Sequence, residues 1–518
     1  MKRRQFLQTT GLSLPVLLNG FSLRALAGTR SFATATTTTD RVLVLLQLNG
    51  GNDGLAMITP LDQYDPLANA RGNILVPASQ LLDLGFDNGL HPVMTGIRNL
   101  FDDGKVGVVQ SVGYPEQNRS HFRSTDIWTS GSPPDQVWTT GWLGRHFEQD
   151  HPDFPVGYPN TDFPHPFALT IGSLVTETCQ GTGANFSLAI NDPFNLNPLA
   201  DTGGDTVPDT PYGAELTFLR DTIAQTNAYS GFITDAAGMG VNMVTYPDDN
   251  RLAQQLRNVA RLISGGLQTK VFVVSLGGFD THANQVLDGS PGQGDHAALL
   301  QQLSEAMVPF LADLQAQGLE QRVLTMTFSE FGRRIRSNDS FGTDHGDAAP
   351  LLLFGSCVNP GFLGDNPTIP ADPDILEALP YQYDFRDVYG TVLTDWFGMA
   401  EDTVREVLYD SFTRLPILLP CGPTETSFVP LPSVDLDCSP NPFTDRLSVQ
   451  LDLHKDASVR LSVHNTLGHL ITVLLDGFQP AGSQQLTFDG TRLPPGAYFI
   501  RLQHADGQQK IQRTVKLK

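Results

Sequence analysis

Carboxylates and imidazoles follow the ends of three apolar runs. Val42 to Leu48 leads into Asn49-Gly50-Gly51-Asn52-Asp53-Gly54, and Val271 to Leu276 leads into Gly277-Gly278-Phe279-Asp280-Thr281-His282. Val323 to Phe328 leads into Ser329-Glu330-Phe331-Gly332-Arg333, and Asp344-His345 stand just before a further apolar run at Leu351. In open α/β sheets ligands bind beyond the carboxyl ends of the strands, so these groups are expected to converge although they are far apart in sequence. Oxygen and imidazole donors gathered on one edge suit hard or borderline divalent ions. Each residue also has a plainer role open to it. Asp53 could stabilise its turn, and Asp280 with His282 could occupy a solvent-facing loop. Glu330 could pair with Arg333 or Arg334, and Asp344 could cap a turn or orient His345. His91 and His296 read as surface or loop histidines.

The elements that must position these residues are legible from periodicity. Leu252, Leu256, Val259 and Leu262 recur at helical spacing before the Val271 run. Leu299, Leu300, Leu303, Met307, Phe310, Leu311 and Leu314 form a second apolar face, closed by Gly318. Strand, helix and strand in alternation, with nearly continuous apolar strands, predict an α/β domain with a mainly parallel sheet covered on both faces, hence three layers. This domain is expected over 41–415. Within it, about 150–211 is rich in Pro, Gly, Asn and Asp and reads as an insertion or cap. Residues 416–440 carry six prolines and read as a linker. Beyond it, Leu447, Val449, Leu451 and Leu453 alternate with polar residues, as do Val459, Leu461 and Val463. Period-two patterning with turns such as Asp489-Gly490 predicts a small all-β sandwich over 441–518.

The N-terminus has the features of an export signal. Lys2-Arg3-Arg4-Gln5-Phe6-Leu7 is a twin-arginine pattern, an apolar stretch runs from Gly11 to Leu23, and Ala25-Leu26-Ala27 offers a cleavage site. Residues 1–27 are therefore expected to be removed, with 28–40 as a flexible lead-in and the twin-arginine translocase as a partner. No later segment approaches transmembrane length, so no transmembrane anchor is expected in the mature chain. Four cysteines, at 179, 357, 421 and 438, include no C-x-x-C pair. An oxidising compartment permits disulfides, and Cys421 with Cys438 is the expected pair among three possible connectivities.

Of the 33 basic and 55 acidic residues, residues 28–440 hold 20 and 49. A field of that sign repels polyanions, which argues against nucleic acid as a partner.

The ordered series of strand-end groups resembles the alkaline phosphatase–sulfatase superfamily. More closely, the chain resembles a large bacterial family of twin-arginine-exported proteins of unknown function with that fold. The resemblance runs from about Val42 to Gly398. It is carried by Gly50 to Gly54, Asn118-Arg119-Ser120-His121-Phe122-Arg123, Gly278 to His282, Ser329 to Arg333, Gly342-Thr343-Asp344-His345-Gly346 and Asp384 to Tyr389. It implies Asp53 as ligand of one metal, and Asp280, His282 and His345 as ligands of another. Glu330 falls where the superfamily has the Asp of an Asp-His pair, and Asp344 stands beside the last imidazole. Ser120 lies in the region that supplies a hydroxyl nucleophile, although Ser124 and Thr125 are one helical turn away. Arg119 or Arg123 could clamp an anionic oxygen. The implied function is metal-dependent hydrolysis of a small phosphate or sulfate ester; the alternative is a non-catalytic surface or ligand-binding protein on the same fold. The Asp-His pair reads Glu330-Phe331 here, one imidazole fewer, so Mn, Ca or Mg compete with Zn as the expected ion.

Residues from Ser439 to Lys518 resemble the C-terminal sorting domain of type IX secretion cargo. The carriers are Asn441-Pro442-Phe443, Asn465-Thr466-Leu467-Gly468, Leu493 to Tyr498 and the basic tail from Lys510. This implies the type IX machinery as a partner, and a route through the periplasm to the cell surface or medium.

Overall fold

The computed structural model describes residues 40–196, 207, 210–421, 434–453, 456–465, 470–491, 493–504 and 509–517. The export signal, almost all of the lead-in, residues 422–433 of the Pro-rich linker and Thr466-Leu467-Gly468 lie outside the described residues. The chain divides into two compact units, parted between residues 422 and 423.

The first unit is built on a nine-stranded sheet. Its principal strands are β1 (Val42–Asn49), β2 (Val106–Gly113), β3 (Ala168–Ile171), β4 (Ser187–Ile190), β5 (Val271–Gly277) and β6 (Val323–Phe328). A hairpin of β7 (Arg333–Ser337) and β8 (Thr343–His345) stands apart from it, and β9 (Ala349–Phe354) and β10 (Gly361–Leu363) return to it. The order is β10-β2-β9-β6-β1-β5-β3-β4, with Tyr383–Asp384 added beside β2. β9 runs antiparallel to both its neighbours, and the other pairings are parallel. The segment expected as an insertion or cap supplies β3 and β4, which complete one side of the sheet. Both strands have only four residues, too short for their alternation to stand out among the surrounding prolines and glycines.

Alternation along β1 explains the layering. Val42, Val44, Leu46 and Leu48 join one core with helices α2 (Arg251–Ser264) and α3 (Asp295–Ala316). Leu43 and Leu45 face the opposite core, which holds Trp128, Trp142, Phe385, Tyr389 and Trp396. Each such buried aliphatic side chain contributes about 1.5–3 kcal/mol, which is why β1 tolerates no polar residue before Gln47. The disulfide joins Cys357 to Cys421, Cα atoms 5.5 Å apart, rather than Cys421 to Cys438. Cys438 lies on a strand of the second unit and is buried in that unit's own core.

The second unit packs a three-stranded against a four-stranded antiparallel sheet around one shared core. Leu447, Val449 and Leu451 are fully buried at alternate positions, as the sequence pattern requires. Among the described residues, no helix is long and apolar enough to cross a membrane.

Candidate metal centre

Register brings the strand ends level. Asn49 pairs with Gly277 and Gln47 with Phe328, so the loops opening at Gly50, Gly278 and Ser329 leave the sheet side by side. Gly50 makes this possible: it adopts φ 124°, and a Cβ there would lie 2.3 Å from the backbone nitrogen of Asp280. The β7–β8 hairpin folds over the same edge, bringing Asp344 and His345. A fourth approach comes from β2, whose following loop ends at helix α1 (His121–Ser130).

His121, Asp280 and His345 offer ligand atoms that all lie within 4.8 Å of one another, and among the described residues this is the group able to hold a metal ion. His282 joins them: its Nε2 is 3.1 Å from Asp280 Oδ1 and 2.8 Å from His345 Nε2. His345 Nε2 is 3.1 Å from the same oxygen, and His121 Nε2 is 3.4 Å from Asp280 Oδ2. Donors about 2.0–2.1 Å from one tetrahedral ion stand ~3.3 Å from each other, close to the spacing seen.

The far side of each ring fixes its tautomer. His345 Nδ1 bonds the Arg119 carbonyl at 2.8 Å, His282 Nδ1 bonds Asp344 Oδ1 at 2.9 Å, and His121 Nδ1 bonds Glu330 Oε1 at 2.8 Å. A carbonyl and two carboxylates only accept, so each Nδ1 carries a proton, and a neutral ring then turns its Nε2 lone pair toward the cluster. Such outer partners orient metal-binding imidazoles. Burial opposes the charge on Asp280, but hydrogen bonds from Arg333 and His345 outweigh it and hold the carboxyl at about 2. Burial lowers His345 below the usual imidazole value, against the pull of Asp280, so the lone pair stays available. Asp344 is likewise held low despite burial, by His282 and Asn338.

Several expected residues take other places. Asp53 is 1% exposed and lies outside the group: Arg71 Nη1 reaches its two oxygens at 2.9 and 2.8 Å, and Gln285 donates to Oδ2 at 2.6 Å. It also caps the short helix that begins at Gly54. Glu330 does not face the cluster as a ligand but holds His121 and the backbone nitrogen of Gly50, the latter at 2.9 Å. Asp344 orients His282 rather than His345. Arg119 binds Asp347 through Nε and Nη2, and Arg123 donates to the Pro134 and Gln136 carbonyls, so both guanidinium groups are engaged by the protein. Ser120 is exposed at the N-cap of α1. His91 and His296 are buried, not on the surface, and burial pushes them down to about 3 and about 4. The residue that sequence reasoning passed over is His121. It replaces the imbalance at Phe331, whose ring packs against His121 and His345 at centroid distances of 4.9 and 4.5 Å.

Residues 228–408 match the family described as a protein of unknown function, DUF1501. Residues 439–516 match the secretion system C-terminal sorting domain. Two separate family models thus match the chain, one within its first unit and one within its second. No curated protein matches it. Among solved structures it is similar to latent PorU from Porphyromonas gingivalis at 15% identity and a TM-score of 0.14, covering 16% of this chain and 9% of PorU. The chain therefore spans under a tenth of that protein's length. It is similar to the PsFucS1 sulfatase from Pseudoalteromonas sp. at 10% identity and a TM-score of 0.34, covering 90% and 87% of the two chains. A Vibrio parahaemolyticus protein in the alkaline phosphatase superfamily gives 9% identity and a TM-score of 0.31, covering 92% and 82%. The sorting domain implies export toward the cell surface.

Proposed function

We propose that residues 41–415 form an alkaline phosphatase-like, metal-dependent hydrolase of phosphate or sulfate esters that uses one divalent ion. The observation that carries the reading is the convergence of three imidazole Nε2 atoms on the Asp280 carboxylate, each ring bonded through Nδ1 to an acceptor. Neutral rings so placed turn lone pairs toward one another, which a metal ion or a proton between them relieves, and three imidazoles with a carboxylate suit zinc. His121, Asp280, His282 and His345 would hold it. When bound, the ion would polarise an ester oxygen and lower the pKa of a hydroxyl nucleophile.

The chain's own residues supply the rest. Ser120 stands between Arg119, whose carbonyl receives His345, and His121, and is the hydroxyl proposed as nucleophile. It occupies the N-cap position of a ten-residue helix, without a side-chain hydrogen bond to it, and the helix's first N–H groups have no partner within the helix. That positive end favours anionic oxygens beside it. Ester chemistry also follows from the motif resemblance set out above.

A second reading is favoured by one observation: four protein donors can close a tetrahedral site, as in structural zinc centres, whereas catalytic sites keep a position open. Turnover separates the two. Metal-loaded protein should hydrolyse an activated aryl phosphate or sulfate, and Ser120→Ala should lose most of that rate, on the order of 10⁴-fold. No turnover on either ester with the ion still bound establishes the second reading instead.

Export is proposed to begin at the twin-arginine translocase and end at the type IX machinery. Lysines in place of Arg3 and Arg4 should leave uncleaved precursor in the cytoplasm; normal export of that variant rules the first step out.

A further inference from the structure

We propose that Phe122, Ile375 and Leu376 form an apolar subsite at the mouth of the metal centre, which receives the uncharged alkyl or aryl part of the ester. The proposal rests on the hydrolase reading above. Phe122 is 87% exposed, Ile375 69% and Leu376 55%, large values for side chains of this kind. Phe122 follows His121 directly on the first turn of α1. The other two sit on a turn tied to the cluster by two arginines. Arg334 Nη1 donates to the Ile375 carbonyl at 3.3 Å, and also to Asp344, which orients His282. Arg119 Nη1 donates to the Leu376 carbonyl at 3.0 Å, while the Arg119 carbonyl receives His345.

The turn is held from within as well. Leu376 N donates to Asp374 Oδ1 at 2.9 Å, Asp374 N to Glu377 Oε2 at 2.9 Å, and Glu377 N to the Asp374 carbonyl at 3.1 Å. Two adjacent branched aliphatics are thus displayed to solvent by a backbone fixed in place. Among the described residues none of the three joins a buried apolar cluster, and apolar side chains grouped beside a polar centre suit a binding surface. A rigid subsite loses little ordering entropy when it is filled. Three side chains fall far short of the roughly 20–30 residues a side of a stable protein interface, so the fit is to a small molecule. They offer no hydrogen bond to sugar hydroxyls, and the acidic field of the domain disfavours polyanions. What remains is an ester whose single anionic group faces the cluster and whose body is apolar.

The test is calorimetric titration of metal-loaded, full-length protein with methylphosphonate and octylphosphonate. Octylphosphonate should bind at least about tenfold more tightly, since each methylene removed from water adds to affinity. Phe122→Ser, and separately Ile375→Ser with Leu376→Ser, should bring the two affinities within about threefold of each other, while Phe122→Leu should keep most of the preference. Equal affinities in the wild type, failure of octylphosphonate to bind, or a preference undiminished in both variants overturns the proposal. Ligand-free dimerisation abolished by the same substitutions also overturns it, because the face would then serve a second copy of the chain. Aryl ester turnover reports separately on the hydrolase reading. A preference without turnover keeps the subsite and removes the hydrolase; turnover without a preference does the reverse.

Discussion

Asp53 and Asp280 leave neighbouring strands of one sheet, and each has an arginine within hydrogen-bond distance. Around Asp53 the acceptor sites are filled. Arg71 reaches both oxygens, Gln285 takes Oδ2, and the backbone nitrogen of Ala56 takes Oδ1 at 3.3 Å. A carboxylate has about four lone-pair sites, so none is left for a metal, and the guanidinium already neutralises the charge in a fully buried setting. Asp280 is about half exposed, with Arg333 on Oδ1 at 2.9 Å and three imidazole nitrogens facing it. Each of those rings is bonded through Nδ1 to an acceptor, so in neutral form it turns a lone pair toward Asp280. The first environment supplies its own cation; the second, on the proposed reading, receives one. The same residue type at equivalent strand ends is thereby a structural ion pair in one case and a candidate ligand in the other.

The largest expected effect tests the Asp53 side. Arg71→Met strands a buried carboxylate, and breaking such a pair costs about 3–5 kcal/mol. The urea midpoint should fall accordingly, while metal bound per folded molecule stays at the wild-type level. A small loss of stability, or loss of the ion from folded protein, would show that Asp53 and Arg71 serve the metal centre after all.

A smaller effect concerns pH. His296 Nε2 bonds Asn52 Oδ1 at 3.0 Å, and burial depresses its pKa to about 4, with Asp53 opposing and Arg333 and Arg71 assisting. His91 is lowered to about 3 by burial and by His296. Below pH 6.5 the unfolded chain protonates these rings while the folded protein does not, so ν_U exceeds ν_N and stability falls as pH falls. For His296 the loss between pH 7.5 and 5 is on the order of 2 kcal/mol. In chelated protein, His296→Gln should flatten the pH dependence of the urea midpoint over that window. The same slope in wild type and variant would mean that His296 titrates normally.

How much of this was legible follows from where each signal lies. The strands at Val42, Val271 and Val323 announce themselves as apolar runs bounded by glycines, and their ends carry Asp280 and His282 in plain view. His345 is equally visible, one residue after Asp344. His121 was hidden by topology. It sits inside the Asn118–Arg123 motif, yet its bond to Glu330 spans 209 residues, and chain order does not reveal that β2 lies beside β9 on the same sheet. Arg71 is a charged residue on a short helix with no local mark of burial. The expectation that a carboxylate at a strand end ligates a metal meets, at Asp53, a partner that only the fold could supply. The edge strands β3 and β4 were too short to register, and the Cys357–Cys421 bond joins segments that only the folded sheet brings together.

Metal content bears most directly on the claim of a single ion held by three imidazoles and Asp280. It can be measured by elemental mass spectrometry on full-length protein purified from its own host without chelators, together with His121→Ala, Asp280→Ala and Asp53→Asn. Losing a direct ligand should cost more than the ~10–100-fold in affinity that losing an outer partner does. The account predicts one divalent ion per wild-type chain, little or none in His121→Ala and Asp280→Ala, and one still present in folded Asp53→Asn. Two ions per wild-type chain, or an ion that survives without His121 and disappears without Asp53, would contradict it.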